Sequence, residues 1–339
     1  MNKVIIADVL EGLSQLEDSS VDACVTSPPY YGLRDYGIDG QIGLEITPEL
    51  YIKKLVEVFR EVRRVLKNDS TLWLNIGDSY GGSGKGIWNN PKLNKQTYKP
   101  TSADGIADVP TVFGSIKNKD LMGIPWMLAF ALREDGWYLR QDIIWHKPNA
   151  MPESVRDRCT KAHEYIFLLS KSKKYYFNHE AVKEPCVGFN NELPAGSKGT
   201  LTPNSRRRTG NNKTFRGGGI YTNNRSFNNH IPADKASVGL KPSETGLRNK
   251  RSVWSVGTKG YNGSHFATFP TELIRPCILA GSQPNGIILD PFLGSGTTAV
   301  VALQEGRDFI GIELNKDYAD MATSRIAKEA HCQLDLFKK

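Results

Sequence analysis

A short apolar run followed by a glycine-rich turn constrains the fold of this chain more than any other feature of its sequence. Residues 286–289 are predicted to form a buried strand, Gly294 and Gly296 allow the backbone to approach a ligand closely, and residues 297–304 are predicted to form a helix. A strand, a glycine-rich turn and a helix in this order form the nucleotide-binding start of a doubly wound α/β fold. Only 43 of the 339 residues follow Gly296, so the other strands have to come from the N-terminal half. The chain is therefore predicted to be circularly shifted, with its cofactor-binding half last.

Strands and helices are predicted to alternate along the rest of the chain, which favours a parallel sheet. Thr47 and Pro48 are typical of a helix start, as N-cap and first helical residue. No apolar stretch approaches the roughly 20 residues that a membrane helix needs. The other predicted strands are 4–7, 21–26, 71–76, 138–145, 164–169 and 308–312, and the other predicted helices are 125–134 and 315–330.

The positive charge of the chain is concentrated in one segment. The whole chain has 44 Lys and Arg against 36 Asp and Glu, whereas residues 185–252 alone hold 12 basic and 3 acidic residues, a charge of +9. This segment has few aliphatic residues and no periodicity, so one interpretation is a solvated insert without a core of its own. The other is a segment that contacts nucleic acid, because Lys and Arg bind phosphates. The candidate DNA-binding residues are Arg206, Arg207, Arg208, Lys213, Arg216 and Arg225.

Two carboxylates flank the glycine-rich turn. Asp290 ends the strand before the turn, and Glu313 ends the next strand, 23 residues later. A carboxylate at the position of Asp290 would repel a pyrophosphate but attract an ammonium group, and an acid at the position of Glu313 binds ribose hydroxyls in such folds. The two acids therefore fit S-adenosylmethionine better than NAD.

A proline-rich tetrapeptide, Ser27-Pro28-Pro29-Tyr30, follows the predicted strand 21–26. Two prolines cannot continue a central strand, and they place a rigid turn at the carboxyl edge of the sheet, where ligands bind. The Ser27 hydroxyl and the Pro28 carbonyl can accept hydrogen bonds, and Tyr30 offers a flat ring. This set suits an exocyclic amine on an aromatic base, although a plain Pro-Pro turn is the alternative interpretation of the stretch taken alone.

The tetrapeptide and the late glycine-rich turn together resemble the amino-group DNA methyltransferases, which methylate cytosine N4 or adenine N6. Ser27-Pro28-Pro29-Tyr30 is similar to the family's catalytic motif, and residues 290–298 are similar to its cofactor motif. The catalytic motif comes first, which is the order of the β group. The resemblance implies a Rossmann-like, circularly permuted fold dependent on S-adenosylmethionine, with an inserted target-recognition region. It covers nearly the whole chain except residues 79–120 and the basic insert.

The same resemblance implies the roles of individual residues. Asp8 corresponds to the acid that contacts the cofactor adenine, Glu313 to the acid that binds the ribose, and residues 265–270 to a cofactor-binding segment. Ser27, Pro28, Pro29 and Tyr30 are the implied catalytic residues. The implied cofactor-binding residues are Asp8, Phe266, Thr268, Pro270, Asp290, Phe292, Gly294, Ser295, Gly296, Thr297 and Glu313.

The implied reaction requires neither a metal nor a covalent cysteine. The enzyme flips the target base out of duplex DNA, because the amine is unreachable within the stack. Cys277 is therefore interpreted as a core residue of the helix 271–280. Ser at the first motif position is typical of cytosine-N4 enzymes, whereas many adenine-N6 enzymes carry Asp, so cytosine is the favoured base. Adenine N6 is the first alternative, and a non-catalytic DNA-binding protein is a more remote one.

The expected organisation has three parts: a catalytic half at 1–184 with a loop at 79–120, the target-recognition insert at 185–252, and a cofactor half at 253–339. The expected partner is double-stranded DNA, in a restriction-modification or phage/host DNA-protection context. Analogy with the β group adds a homodimer, and the restriction-modification context adds a cognate restriction endonuclease. The five cysteines show neither a Cys-x-x-Cys pair nor zinc spacing, so a reducing cytoplasm is the expected compartment.

Overall fold

The computed structural model describes residues 2–33, 37–81, 115–185, 247–258 and 269–336, with side chains up to residue 328. Most of the loop 79–120 and of the basic insert lies outside these ranges. The predicted site residues that also lie outside the described residues are Phe266, Thr268, Arg206, Arg207, Arg208, Lys213, Arg216 and Arg225.

Strands and helices alternate over much of the described chain. The strands are β1 (Lys3–Ile6), β2 (Val21–Thr26), β3 (Leu66–Ile76), β4 (Tyr138–His146), β5 (His163–Ser170), β6 (Glu184–Pro185), β7 (Leu247–Arg248), β8 (Val253–Ser255), β9 (Ile287–Asp290) and β10 (Asp308–Glu313). The α-helices are α1 (Val9–Ser14), α2 (Pro48–Val65), α3 (Ile124–Glu134), α4 (Thr271–Gly281), α5 (Thr297–Gln304) and α6 (Lys316–Leu336).

Eight strands form one sheet in the order β1-β10-β9-β2-β3-β5-β4-β8. The five strands from β1 to β3 pair in parallel, as predicted, but β5 pairs antiparallel with both β3 and β4. The prediction of a parallel sheet is therefore wrong at β5. The connection from β4 to β5 has no helix to carry the chain back across the sheet, so β5 returns beside β4 in the opposite direction.

Helix α2 starts where the sequence predicts. The Thr47 hydroxyl accepts a hydrogen bond from the Leu50 amide at 3.1 Å, and Pro48 occupies the first turn. Its buried stripe includes Leu55 and Phe59, which are fully buried against one face of the sheet together with residues of α1 and α3. Residues of α4, α5 and α6 cover the opposite face. The sheet is therefore enclosed on both faces and exposes its strand ends.

The start of β3 differs from the prediction. The strand was predicted to begin at residue 71, but it begins at Leu66. Leu66 pairs with Val21, and the register then shifts before Ala23 pairs with Thr71. A bulge of this kind adds residues to one strand without ending the pairing, so the polar residues Asn68 and Asp69 belong to the strand.

The chain divides into two compact units, Met1–Val182 with Arg251–Lys339, and Lys183–Lys250. In the second unit, β6 pairs antiparallel with β7, and Arg248 Nε donates to Glu184 Oε1 at 3.0 Å. The three-part division of the chain and its circular permutation both stay predictions. None of the helices in the described part of the chain is long and apolar enough to span a membrane.

Candidate active site

One cavity lies at the carboxyl ends of four neighbouring parallel strands, β1, β10, β9 and β2. Residues 7–9 follow β1, residues 27–30 follow β2, residues 291–295 follow β9, and residues 312–315 end and follow β10; all of them line the cavity. The structure thus brings together the proline-rich tetrapeptide and the glycine-rich turn, which lie more than 260 residues apart in the sequence. The predicted site residues on the cavity wall are Asp8, Ser27, Pro28, Pro29, Tyr30, Phe292, Gly294, Ser295, Thr297 and Glu313.

The tetrapeptide is held by a tyrosine on α2. The hydroxyl of Tyr51 donates a hydrogen bond of 2.7 Å to the Pro29 carbonyl, and the Tyr51 side chain is fully buried. Burial raises the pKa of Tyr51, so the hydroxyl stays protonated and remains a donor. The Pro28 carbonyl, by contrast, accepts no hydrogen bond from the described residues. The turn is therefore anchored through Pro29 and leaves the Pro28 carbonyl available to a ligand.

The hydroxyl of Tyr30 is bound within the protein. It donates to Glu164 Oε2 at 2.8 Å, and Asn75 Oδ1 lies 3.3 Å away. Burial, followed by the charge of Glu164, raises the pKa of Tyr30 well above its ordinary value, while a hydrogen bond with Ser27 opposes the shift. Because the hydroxyl is occupied, the ring is the part of Tyr30 that can serve a ligand in the cavity.

Glu313 joins the two turns that follow β9 and β10. Its Oε2 accepts a hydrogen bond from the Gly294 amide at 2.8 Å, and its Oε1 accepts one from the Asn315 amide at 2.9 Å. Burial raises the pKa of Glu313, although the two backbone bonds oppose the shift. Each carboxylate oxygen has a second lone pair, so Glu313 can still accept hydrogen bonds from a diol in the cavity.

Asp8 also lines the cavity, as the N-cap of α1, a helix that was not predicted from the sequence. Its Oδ1 accepts a hydrogen bond of 2.9 Å from the Leu10 amide. A capping role leaves the second oxygen of the carboxylate able to accept a hydrogen bond from a ligand.

Asp290 points away from the cavity. Its carboxylate is 2% exposed and accepts hydrogen bonds of 2.6 Å from the hydroxyls of both Thr26 and Thr298, and one of 3.1 Å from the Phe292 amide. It does not line the cavity formed by the described residues. Asp290 therefore ties the end of β2 to the start of α5.

Two further predicted residues, Gly296 and Pro270, lie behind the cavity wall. Gly296 is the N-cap of α5 with φ of +78°, and a Cβ there would lie 3.1 Å from the Cβ of Ala322 on α6. Pro270 is the N-cap of α4 and is buried. Both shape the turns on which the lining residues sit.

Several residues of the site were not predicted from the sequence. Glu164, Asn75 and Tyr51 contact the tetrapeptide from distant strands and helices, and their own local sequence indicates only strand or helix periodicity. Five residues between the tetrapeptide and α2 also line the cavity, and their only sequence signal is their position after the tetrapeptide. They are Leu33, Ile38, Gly40, Gln41 and Ile42.

Among the described residues, no group of three His, Cys, Asp or Glu side chains could hold a metal ion. The prediction for Cys277 is confirmed: it is 1% exposed in α4, with its Sγ 3.8 Å from the Leu273 carbonyl oxygen.

Comparison with known proteins identifies the family. A family model described as DNA methylase, that of the N6/N4 methylases, matches residues 21–324. The chain belongs to the N6/N4 DNA methylase family. The Type II methyltransferase M.Cfr9I of Citrobacter freundii is 46% identical over 322 residues, which cover 95% of this chain and 86% of the relative. The predicted family is therefore confirmed.

Solved structures show the same fold for this methylase. One is the PvuII DNA methyltransferase, which is named as cytosine-N4-specific. It aligns with a TM-score of 0.57 and 15% identity, over 97% of this chain and 91% of the PvuII chain. A DNA modification methylase from Thermus thermophilus, solved in complex with S-adenosyl-L-methionine, aligns with a TM-score of 0.54 and 21% identity over 97% and 96% of the two chains. The prediction of a Rossmann-like, S-adenosylmethionine-dependent methyltransferase fold is confirmed.

The burial of Asp290 predicts an unusual dependence of stability on pH. Burial raises the pKa of Asp290 to about 6, against an ordinary value of about 4, although three hydrogen bonds oppose the shift. The folded state thus favours the protonated carboxyl, so its stabilising contribution is present below about pH 4 and is lost as the pH rises through about 6. Relative to Asp290→Asn, we expect wild type to lose about 2 kcal/mol of unfolding free energy between pH 4 and pH 7.

Denaturant unfolding of both proteins at pH 4, 5, 6 and 7, without added methyl donor, measures this difference. The Asn variant corrects for every other titrating group, because only residue 290 differs. The opposite result would be a wild type that gains unfolding free energy relative to Asp290→Asn as the pH rises. That result would show that the folded protein stabilises Asp290 as a carboxylate.

Proposed function

We propose that this chain transfers a methyl group from S-adenosylmethionine to the exocyclic amine of a flipped base in double-stranded DNA, with cytosine N4 as the favoured target. The observation that supports it most is that Ser27-Pro28-Pro29-Tyr30 and the glycine-rich turn 291–297 border one cavity. Methyl transfer requires the donor and the amine to meet in one enclosed space, because positioning supplies most of the catalysis.

The residues on one side of the cavity fit S-adenosylmethionine, the methyl donor on which this family depends. Glu313 can accept hydrogen bonds from the ribose hydroxyls, and Asp8 can accept one from the amino group of the adenine. The turn at Gly294 admits the methionine portion close to the backbone, and the buried Asp290 adds negative potential behind it. When bound, the donor supplies an electrophilic methyl group on a sulfonium.

The residues on the other side fit the amine of a nucleobase. The lone pair of an aromatic amine is delocalised into the ring, which makes it a weak nucleophile. The hydroxyl of Ser27 and the carbonyl of Pro28 are acceptors for the two hydrogens of the amine, and their pull favours a pyramidal nitrogen. The ring of Tyr30 stacks on the base, and Pro29 holds the turn in place through Tyr51.

Cytosine N4 is favoured because Ser27, rather than Asp, occupies the first position of the tetrapeptide. The relative M.Cfr9I is named a Type II methyltransferase, which supports a restriction-modification context with a cognate endonuclease. A second copy of the chain is the further partner that analogy suggests. We also propose that the basic residues of the insert, Arg206 to Arg208 among them, contact the DNA phosphates.

Nucleoside mass spectrometry of DNA from a host that expresses the protein tests the activity and the base together. We expect N4-methylcytosine in the DNA of a host that expresses the wild-type protein. It should be absent from the DNA of a host that expresses Ser27→Ala. N6-methyladenine without N4-methylcytosine would contradict the choice of base. DNA with neither modified nucleoside, together with measurable donor and DNA binding, would indicate a non-catalytic DNA-binding protein.

A further inference from the structure

A half-buried ion pair lies directly behind the tetrapeptide. Glu164 is the second residue of β5, which runs antiparallel to β3, so its side chain is at the same edge of the sheet as the strand ends that carry the cavity. Its Oε2 accepts the hydrogen bond from Tyr30, and its Oε1 pairs with the ammonium of Lys147, the residue after β4. Each carboxylate oxygen thus has a separate partner, and only one of these partners lines the cavity.

The ion pair is shielded from water. The side chains of Lys147 and Glu164 are only 19% and 16% exposed, and the Lys147 ammonium also lies 4.2 Å from the centre of the Trp145 ring. A partly shielded carboxylate without a cation is costly, so Lys147 offsets the cost of placing Glu164 next to the Tyr30 hydroxyl.

The ring of Tyr30 is confined from a second direction by Gly77. A Cβ at Gly77 would lie 2.7 Å from Cε2 of Tyr30 and 3.4 Å from the carboxyl carbon of Glu164. Asn75 completes the enclosure: its Oδ1 lies 3.3 Å from the Tyr30 hydroxyl, and its Nδ2 donates to the Tyr165 carbonyl at 3.0 Å. The end of β3 and the start of β5 thus enclose the ring and the hydroxyl of Tyr30.

We propose that Glu164, held in place by Lys147, is a positioning residue for methyl transfer that acts through the Tyr30 hydroxyl. By binding this hydroxyl, Glu164 sets the plane of the ring on which the target base stacks. It contacts neither base nor donor and takes no proton from the amine. The inference rests on the proposed function, because it assigns to Tyr30 the task of stacking the base.

A double-mutant cycle between Tyr30→Phe and Glu164→Ala tests the proposal. Tyr30→Phe keeps the ring and loses only the hydroxyl, so we expect a fall in kcat of about 10-fold. Glu164→Ala should lower kcat by a similar or somewhat larger factor, on the order of 10- to 100-fold. The kcat of the double variant should lie within about 2-fold of the kcat of Glu164→Ala alone, because both changes break the same hydrogen bond. Donor affinity, measured by calorimetry, should stay unchanged in all three.

A second pair of variants separates positioning from proton transfer. Glu164→Gln retains an acceptor for Tyr30 but places an amide next to the Lys147 ammonium, so we expect a partial loss of kcat. Combining it with Lys147→Met removes the unpaired cation and should recover most of the activity, with the pH profile of kcat unchanged. Glu61→Ala, which removes a surface partner of Arg64 on α2, is the matched control and should leave kcat unaltered.

Two outcomes would overturn the proposal. If the loss of kcat in the double variant equals the product of the losses in Tyr30→Phe and Glu164→Ala, Glu164 acts independently of the hydroxyl. An inactive Glu164→Gln/Lys147→Met variant that still binds the donor would show that the carboxylate charge itself is required, as for a proton acceptor. A wild-type protein that methylates no DNA would instead contradict the proposed function, so the two failures are distinguishable.

Discussion

Replacing Tyr30 with alanine is expected to reduce the single-turnover rate of methyl transfer to DNA by about 100-fold, roughly 3 kcal/mol. The change removes the ring on which we propose that the base stacks, a contact that is worth about 1–3 kcal/mol per base, and it also removes the hydroxyl that binds Glu164. Donor affinity should change by less than about 2-fold, because the cofactor side of the cavity is built from other strands.

Radiolabelled methyl transfer to duplex DNA, measured beside donor binding by calorimetry, checks this result. Ser27→Ala should act in the same direction, since it removes one of the two acceptors for the amine. Tyr138→Ala is the matched control, because Tyr138 is 45% exposed at the start of β4. Unchanged turnover in both Tyr30→Ala and Ser27→Ala would end the proposed role of the tetrapeptide.

Replacing Glu313 with alanine is expected to weaken binding of S-adenosylmethionine by about 100-fold. Hydrogen bonds to a charged group contribute about 1.5–3 kcal/mol each, and the variant loses those to the ribose hydroxyls. It also releases the amides of Gly294 and Asn315, so both turns that shape the pocket lose their common acceptor. Glu313→Gln, which keeps one acceptor oxygen, should show a smaller loss.

Calorimetric titration with S-adenosylmethionine and with S-adenosylhomocysteine measures this effect, since both carry the same ribose. Asp320→Ala is the matched control: Asp320 lies on α6 close in sequence but is exposed and pairs with Lys316. A donor Kd for Glu313→Ala within about 2-fold of wild type would place the ribose elsewhere in the cavity.

The local features of the site were predictable because contiguous residues carry them. Two prolines after an apolar run indicate a turn at a strand end, and Thr47-Pro48 indicates a helix start, whatever the rest of the chain does. Parallel strands carry their carboxyl ends to one edge, so the meeting of the tetrapeptide with the glycine-rich turn followed from the order of the elements. The resemblance to the amino methyltransferases then supplied the chemistry, and the family was confirmed.

The orientation of side chains within the site was not predictable in this way. Asp290 ends β9 as expected, yet its carboxylate turns toward Thr26 and Thr298, because both hydroxyls lie behind the turn. Position along a strand determines where a residue sits, whereas the groups packed around it determine which way its polar atoms point.

By itself the sequence determined the strand-end turns, the charge of the insert and the motif residues, since each depends on neighbours in the chain. Only the tertiary structure determined the partners of Tyr30 and of Pro29. Glu164 is separated from Tyr30 by 134 positions and reaches it because β5 runs antiparallel to β3, with Ile76 paired to Tyr165. A shift of one residue in that register would turn Glu164 to the other face of the sheet. Strand pairing is a property of the whole packed chain, and no local pattern around Glu164 encodes it.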